Sequence, residues 1–425
     1  MAILIVMALS WLSIGSARGE TSGATVPQVP PADSITVSLI TCYPGPEVYE
    51  LCGHEAIRVR GEGRDSVWNY GVFDFRAPNF LYRFVKGETD YICAGYPFAW
   101  FLPEYQGRGS KVVEQDLNLT QAEARKLLAL LQTEALPQNR VYRYNYVKDN
   151  CATRILDRIE ESSTSRILYP DTVAYGNFRN EMRAYHKDYP WYQFGIDIAL
   201  GAGIDYPLTS REEMFVPVEM MKKAAGAKML DGRNLVKDTR ILNEGVEDAT
   251  LGPTPFLLTP LCVSWVVAIL LAAVCLVNFS RRRLWRWAYV VWFSLLGIAG
   301  CVVWFLVFIS THEATSPNTL LLWLSPVQLV TAAAMGVKRL RSVGVAMSWY
   351  NIVAMVCTLV VWPFQHQQAN PAFFPLMGIT LLMAITFAAV SGNEARNVKK
   401  GENTVAVSGG NTRTRKPQNK LRVMK

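Results

Sequence analysis

Two hydrophobic patterns divide the chain, one of short periodic segments and one of long apolar runs. In the first part, residues 35–42 (ITVSLITC) alternate and are rich in β-branched side chains, which predicts a strand. Residues 55–60 (EAIRVR) and 66–73 (SVWNYGVF) predict two more, and 142–146 a short fourth. Thr120 followed by Glu123 is a capping box that opens a helix over 121–135. After Asp149-Asn150-Cys151, the run ATRILDRIEES places Ile155, Leu156 and Ile159 at helical spacing. Strands and helices mixed in this way predict an α+β domain over residues 35–250.

The second pattern begins where the charges stop. Residues 249–280 contain no Asp, Glu, Lys or Arg, and 256–279 is long enough to span a bilayer, since roughly 20 residues rising 1.5 Å each cross about 30 Å of hydrocarbon. Four further runs follow at 287–309, 320–337, 343–364 and 373–390, giving a five-helix transmembrane domain over 256–390. The loops alternate in charge: Arg281, Arg282, Arg283 and Arg286 follow the first span, and Lys338, Arg339 and Arg341 follow the third. Residues 310–318 and 365–372 hold no Lys or Arg, whereas the tail over 391–425 holds nine basic residues and two acidic ones. The positive-inside rule then makes the Arg-rich loops and the tail cytoplasmic, and five spans put the α+β domain on the periplasmic side of an inner membrane. An apolar run at 3–14 followed by Gly15-Ser16-Ala17 predicts a signal peptide over 1–19, or an uncleaved anchor because the positive n-region is missing. Residues 20–34, with Pro27, Pro30 and Pro31, read as an extended linker.

Composition sharpens this division. Half of the 425 residues are hydrophobic and 18% are charged, which excludes a disordered chain. The net charge of +8 suggests nucleic acid until it is located along the chain: residues 1–255 carry −5 and residues 256–425 carry +13. The basic excess belongs to the apolar part, so a membrane explains it and no nucleic-acid partner is expected. Cys262, Cys275, Cys301 and Cys357 lie in the spans as packing residues. Cys42, Cys52, Cys93 and Cys151 lie in the exported part, where they could form two disulfides. Their spacing matches no zinc site and only His54 and His186 precede the spans, so neither a metal nor a cofactor is expected.

Cys151 carries the candidate chemistry. Asp149 or Asn150 is a good N-cap, which puts Cys151 in a first helical turn where the helix dipole and free amides favour a thiolate and could hold an oxyanion. His54, after Gly53 at the start of a strand, is the candidate proton acceptor, and Asn69 on the next strand could orient the imidazole. Each residue also has a structural reading: Cys151 as a disulfide partner, His54 as a satisfied polar residue, Asn69 as a strand-edge hydrogen-bonder. Cys42, ending a strand beside a Pro-Gly turn, is a rival nucleophile.

Several segments around these residues resemble one family. Leu39-Ile40-Thr41-Cys42-Tyr43-Pro44-Gly45, Gly53-His54-Glu55-Ala56-Ile57-Arg58 and Asn69-Tyr70-Gly71-Val72-Phe73-Asp74-Phe75 resemble the Lnb N-terminal periplasmic domain. Asn79-Phe80, Arg83-Phe84, Tyr144-Asn145-Tyr146 with Asp149-Asn150-Cys151, Gly201, Asp205 and Met214-Phe215-Val216-Pro217 continue the likeness. His312, Pro317-Asn318, Ser325-Pro326 and Asn370-Pro371 resemble the transmembrane domain that accompanies it. Cys52 departs from the bulky aromatic associated with its position, which leaves a Cys42–Cys52 disulfide open and weakens Cys42 as a nucleophile.

The resemblance implies a bacterial lipoprotein N-acyltransferase. A thiol would carry an acyl chain from a membrane phospholipid donor to the amino group of a diacylated lipoprotein acceptor. The order His, polar residue, helix-start Cys is also similar to circularly permuted papain-like folds, which implies a permuted papain-like domain with Cys151, His54 and Asn69 as catalytic residues. Trp100, in the aromatic stretch 96–102, and His312 and Asn318, on a loop placed on the domain's side, are expected to contact substrate. Two rival readings remain: a papain-like cell-wall amidase or peptidase, and a non-catalytic inner-membrane sensor or assembly factor with structural cysteines.

Overall fold

The computed structural model describes residues 34–248 and 252–410, and side chains as far as residue 392. The signal segment, the linker up to residue 33 and the last part of the tail, 411–425, lie outside the described residues. The chain forms two compact units. The first comprises the chain up to Cys262 with Val302–Leu320 and Trp362–Asn370, and the second comprises Val263–Cys301, Leu321–Val361 and the chain from Pro371 onward.

The first unit is α+β. Its elements run β1 (Thr36–Cys42), β2 (His54–Gly61), β3 (Arg64–Val72), α1 (Phe80–Lys86), β4 (Asp90–Pro97), α2 (Phe98–Gly107), β5 (Lys111–Leu117), α3 (Gln121–Glu134), β6 (Val141–Arg143) and α4 (Cys151–Ser162). They continue as β7 (Ile167–Leu168), α5 (Phe178–Tyr185), α6 (Pro190–Ala199), α7 (Ser210–Glu213), α8 (Pro217–Gly226), β8 (Lys228–Met229) and β9 (Val236–Glu244). Seven strands form an antiparallel sheet in the order β6-β4-β3-β2-β1-β5-β9, and β7 pairs with β8.

Both faces of the sheet centre are covered, so β1 is buried along almost its whole length although its sequence alternates. Val37 and Leu39 face one way and join Ile57 and Val59 with Leu127 and Leu131 of α3 and Ile155 and Leu156 of α4. Ile40 and Cys42 face the other way, with Ala56, Val67 and Phe98 and Phe101 of α2. The α3 capping box forms as expected, with Thr120 and Glu123 bonding each other's backbone amides. The strand expected over 142–146 ends instead at Arg143, because Asn145 and Asp149 exchange backbone hydrogen bonds of 3.0 Å and turn the chain into a tight loop. That loop leads straight into α4.

The two inter-span loops that carry no Lys or Arg are the ones the first unit takes in. Arg179 is fully buried and donates to Asp205 (2.8 Å), Asp197 (2.9 Å) and the carbonyls of Leu200 (3.0 Å) and Gly201 (2.9 Å). Asn370 donates to the other Asp197 oxygen at 2.8 Å, Gln367 to the Leu200 carbonyl at 3.2 Å, and the Gly201 and Ala202 amides to the carbonyls of Ala314 (2.9 Å) and Pro317 (2.7 Å). A buried cation of this kind persists only when every donor finds an acceptor.

The apolar part contains α9 (Pro260–Arg281), α10 (Arg286–Phe308), α11 (Val327–Gly336), α12 (Arg341–Val361) and α13 (Phe373–Gly410). Among the described residues, five segments are long and apolar enough to cross a membrane: Pro260–Arg281, Arg286–Phe308, Thr319–Gly336, Lys338–Phe364 and Phe373–Gly392. The third is broken. A 3₁₀ stretch over Thr319–Leu322 precedes Ser325-Pro326, and only α11 is regular, because Pro326 has no N–H to continue a helix from the preceding turn. Polar side chains near the break bond within the bundle, Gln328 donating to Asn351 (2.7 Å) and to the Trp323 carbonyl (3.0 Å), although its own buried amide oxygen has no hydrogen-bond partner. Helix α13 continues past its span into the segment read as tail.

Candidate active site

The site is built where β2 and β3 meet the start of α4. Gly53 turns the chain with φ +78°, and a Cβ there would lie 2.5 Å from the Cys42 carbonyl oxygen, so a glycine is what lets the next residue open β2. We expect Gly53→Ala to lower the thermal midpoint of the detergent-solubilised protein, the backbone strain alone costing more than about 1 kcal/mol. An unchanged midpoint would show that the turn adapts.

That next residue is His54. Asn69 pairs across the sheet with Ala56, which makes it the diagonal neighbour of His54 on the same face. His54 Nε2 and Asn69 Oδ1 are 2.8 Å apart. The amide oxygen only accepts, so Nε2 carries a proton and Nδ1 is the nitrogen left for a second partner. The imidazole also lies parallel to the Tyr105 ring of α2, 6.4 Å between centroids.

The second partner of His54 is the Cys151 thiol. Asn150 caps α4, accepting from the Ala152 and Thr153 amides at 2.9 and 3.0 Å, and its own amide donates to the carbonyls of Tyr146 (2.9 Å) and Phe215 (2.8 Å). Cys151 is therefore the first helical residue of a firmly held terminus. This corrects one expectation: two of the amides expected to be free are taken by Asn150, and of the first three only that of Cys151 itself is not.

Burial pushes the Cys151 thiol up, but the charge and hydrogen bond of His54, the Glu55 backbone amide and the Tyr144 hydroxyl outweigh it and leave the thiol below its ordinary value. Burial pulls the His54 imidazole down, but the Cys151 charge and hydrogen bond and the bond to Asn69 outweigh that and leave it raised. The two shifts run in opposite directions, the thiol toward ionisation and the imidazole toward keeping its proton. We expect Asn69→Ala to slow alkylation of Cys151 by iodoacetamide about tenfold at neutral pH, the loss of roughly 1.4 kcal/mol from one hydrogen bond to a charged group. An unchanged rate would reduce Asn69 to a strand residue.

The other thiols of this unit are different. Cys42 is buried on the α2 side of the sheet and burial raises it well above the ordinary value. Cys52, 3.3 Å from the Tyr146 hydroxyl, and Cys93, in the core, are each pushed up to about 12 by burial. Neither Cys42 nor Cys52 is in a disulfide; both are free. Geometry thus separates Cys151 from its rival.

Tyr144 was not singled out for chemistry in the sequence. Its place one residue past a strand and seven before the helix-start cysteine is the only sequence signal of its role. The Tyr144 ring packs over Gly71, whose φ of +90° and missing side chain give it room, since a Cβ there would lie 3.1 Å from the ring. Tyr144 also lines a cleft of about 540 Å³ with Arg143, Asn145, Lys148, Asp149 and His312. Of the expected substrate contacts, His312 therefore lines the cleft beside the site, though its Nε2 already meets the Phe84 carbonyl at 3.0 Å. Asn318 is buried, donating to the Ile198 carbonyl at 3.0 Å and accepting from Gln367 at 3.0 Å, so it fastens the loop and offers nothing to a headgroup. Trp100 is 71% exposed on α2, whose Phe98, Phe101 and Tyr105 face inward, and it lines neither this cleft nor the apolar cavity described below.

Fold and site together define a membrane-anchored protein whose sheet-rich N-terminal unit holds a cysteine–histidine pair ahead of five apolar helices. Residues 28–175 match the family model of the Lnb N-terminal periplasmic domain, and residues 253–393 that of the Lnb transmembrane domain. The two matches together take in more than half of the chain, which belongs to the Lnb family and is an inner-membrane protein with a periplasmic domain. No curated protein and no solved structure matches it.

Proposed function

We propose that the protein is a lipoprotein N-acyltransferase that works through a Cys151 thioester, with the Arg-rich loops and the C-terminus in the cytoplasm. The observation that carries this reading is the Cys151–His54–Asn69 hydrogen-bonded line at a helix N-terminus, in a chain anchored where its lipid substrates reside. The chain order His, Asn, Cys with the cysteine opening a helix against a sheet supports a permuted papain-like fold.

In the first half-reaction the Cys151 thiolate attacks the ester carbonyl carbon of a phospholipid. A C–S bond forms, and the oxyanion meets the Cys151 amide and, beside it, the Tyr144 hydroxyl. As the ester C–O bond breaks, His54 gives its Nδ1 proton to the leaving lysophospholipid oxygen. In the second, the α-amine of a diacylglyceryl cysteine attacks the thioester, a C–N bond forms, His54 takes the amine proton and the C–S bond breaks to restore the thiolate. Splitting the transfer lets one site bind two lipids in turn. The test is mass spectrometry of N-terminal lipopeptides from a host lacking the gene, with and without a plasmid copy. An added acyl amide only with the gene is the expected result. Identical masses would overturn the reading and turn attention to wall peptides.

A further inference from the structure

A second cavity lies beside the site and has a different character. It measures about 280 Å³ and is lined chiefly by Val72, Phe73, Ala77, Phe80, Thr89 and Ile92. The charged side chains Arg83 and Asp90 at its wall neutralise each other at 2.7 Å, and Asp74 accepts the Arg76 amide at 2.8 Å. The Thr89 hydroxyl is buried at the wall without a hydrogen-bond partner. A continuous aromatic wall connects this cavity to the thiol: Phe73 meets Tyr91 at 5.1 Å, Tyr91 stacks on Tyr144 at 4.8 Å, and Tyr144 bonds Cys151.

The mouth is apolar as well. Val72 of its lining is exposed, as are Phe75, whose ring packs on the lining residues Phe73 and Phe80, and Leu81 and Tyr82, which follow Phe80 on α1. A cluster of that kind on a folded surface marks a place where something apolar docks. Helix α1, which carries Leu81 and Tyr82, is tied to the end of the second span: Tyr82 meets Phe305 of α10 at 6.2 Å, and the Thr311 amide donates to the Lys86 carbonyl at 2.9 Å. Helix α1 therefore sits against the end of the second apolar helix.

We infer that this cavity receives an acyl chain of a membrane lipid, the one being transferred, an assignment that rests on the transferase reading for its chemistry. Its occupant is apolar, flexible and attached to an ester that the thiol beyond the Tyr91–Tyr144 wall consumes. The volume falls just below the roughly 300 Å³ at which small-ligand pockets begin, so it takes part of one chain rather than a whole lipid. The unpartnered Thr89 hydroxyl is the one polar group in it without a role.

The test uses the full chain in nanodiscs containing phosphatidylethanolamine with a diazirine in one acyl chain. Photolabelling is mapped by peptide mass spectrometry in wild type, Cys151→Ala and Ala77→Trp. Label enriched in residues 72–92 in the first two proteins, and reduced at least fivefold in Ala77→Trp while Cys151 keeps its wild-type iodoacetamide reactivity, is the expected result. Label spread over the spans with no enrichment in 72–92, or a correctly folded Ala77→Trp that labels as wild type, overturns the assignment. If Ala77→Trp does not fold, the wild-type and Cys151→Ala maps decide alone. Enrichment without N-acylation of lipopeptides keeps the chain site and sinks the transferase, whereas N-acylation without enrichment does the reverse.

Discussion

Cys151→Ala is expected to bring lipoprotein N-acylation down by at least about 10³-fold while the protein still accumulates in the membrane. No neighbouring thiol can take over, because burial holds Cys42, Cys52 and Cys93 in the protonated form. The structural cost is small: one sulfur is removed from a buried position, and the N-cap bonds of Asn150 to Ala152 and Thr153 do not involve the side chain that is lost. The measurement is the ratio of triacylated to diacylated lipopeptide at matched protein levels. A ratio above a tenth of wild type would remove the thioester from the mechanism. Cys151→Ser should behave like the alanine variant, since a hydroxyl beside His54 does not ionise at neutral pH.

His54→Ala is expected to cost about 10² to 10⁴ in turnover, the usual contribution of a positioned acid–base group, and to leave a signature in pH. In the wild type each partner moves the other, the thiol down and the imidazole up, which widens the pH window in which thiolate and imidazolium coexist. Below that window Cys151 is protonated, and above it His54 has lost the proton that the leaving group needs. Alkylation of Cys151 by iodoacetamide should therefore rise with pH through a midpoint below that of a free thiol. Without His54 the burial of the sulfur is no longer opposed by a cation, so the midpoint moves up and the rate at pH 7 falls. A midpoint that stays in place in His54→Ala would show that the helix terminus, and not the imidazole, sets the thiol.

The parts of this arrangement that were legible in sequence are those where local pattern and tertiary role agree. β1, β2 and β3 are short β-branched runs, α3 carries its own cap, and α4 has both a cap and an apolar stripe, so each could be placed along with His54, Asn69 and Cys151. β5 and β9 were missed for a physical reason. β5 reads KVVEQDL, yet its Glu114 is fully buried and paired with Arg58 (3.3 Å) and Arg240 of β9 (2.7 Å), so the charge that looks like solvent exposure is part of the sheet. Tyr144 was hidden because alternation continued the strand through it, whereas a pair of backbone bonds between Asn145 and Asp149 ends the strand one residue earlier. The amides of Ala152 and Thr153 read as free from the pattern alone, because a sequence shows that a cap is present but not which donors it occupies. The interruption of the third span was likewise present as Ser325-Pro326, and hydropathy averages over it.

The placement of the two uncharged loops in the first unit also bears on time. The carbonyl of Leu200 and the carboxylate of Asp197 are completed by Gln367 and Asn370, residues made about 170 positions later. Until the fourth span has been threaded and the loop behind it delivered to the same side, the exported half of the chain cannot finish its own interior. Maturation of the thiol-bearing half is in this way tied to insertion of the anchoring half: an Lnb chain released early from the ribosome leaves Asp197 and the Leu200 carbonyl without these two partners.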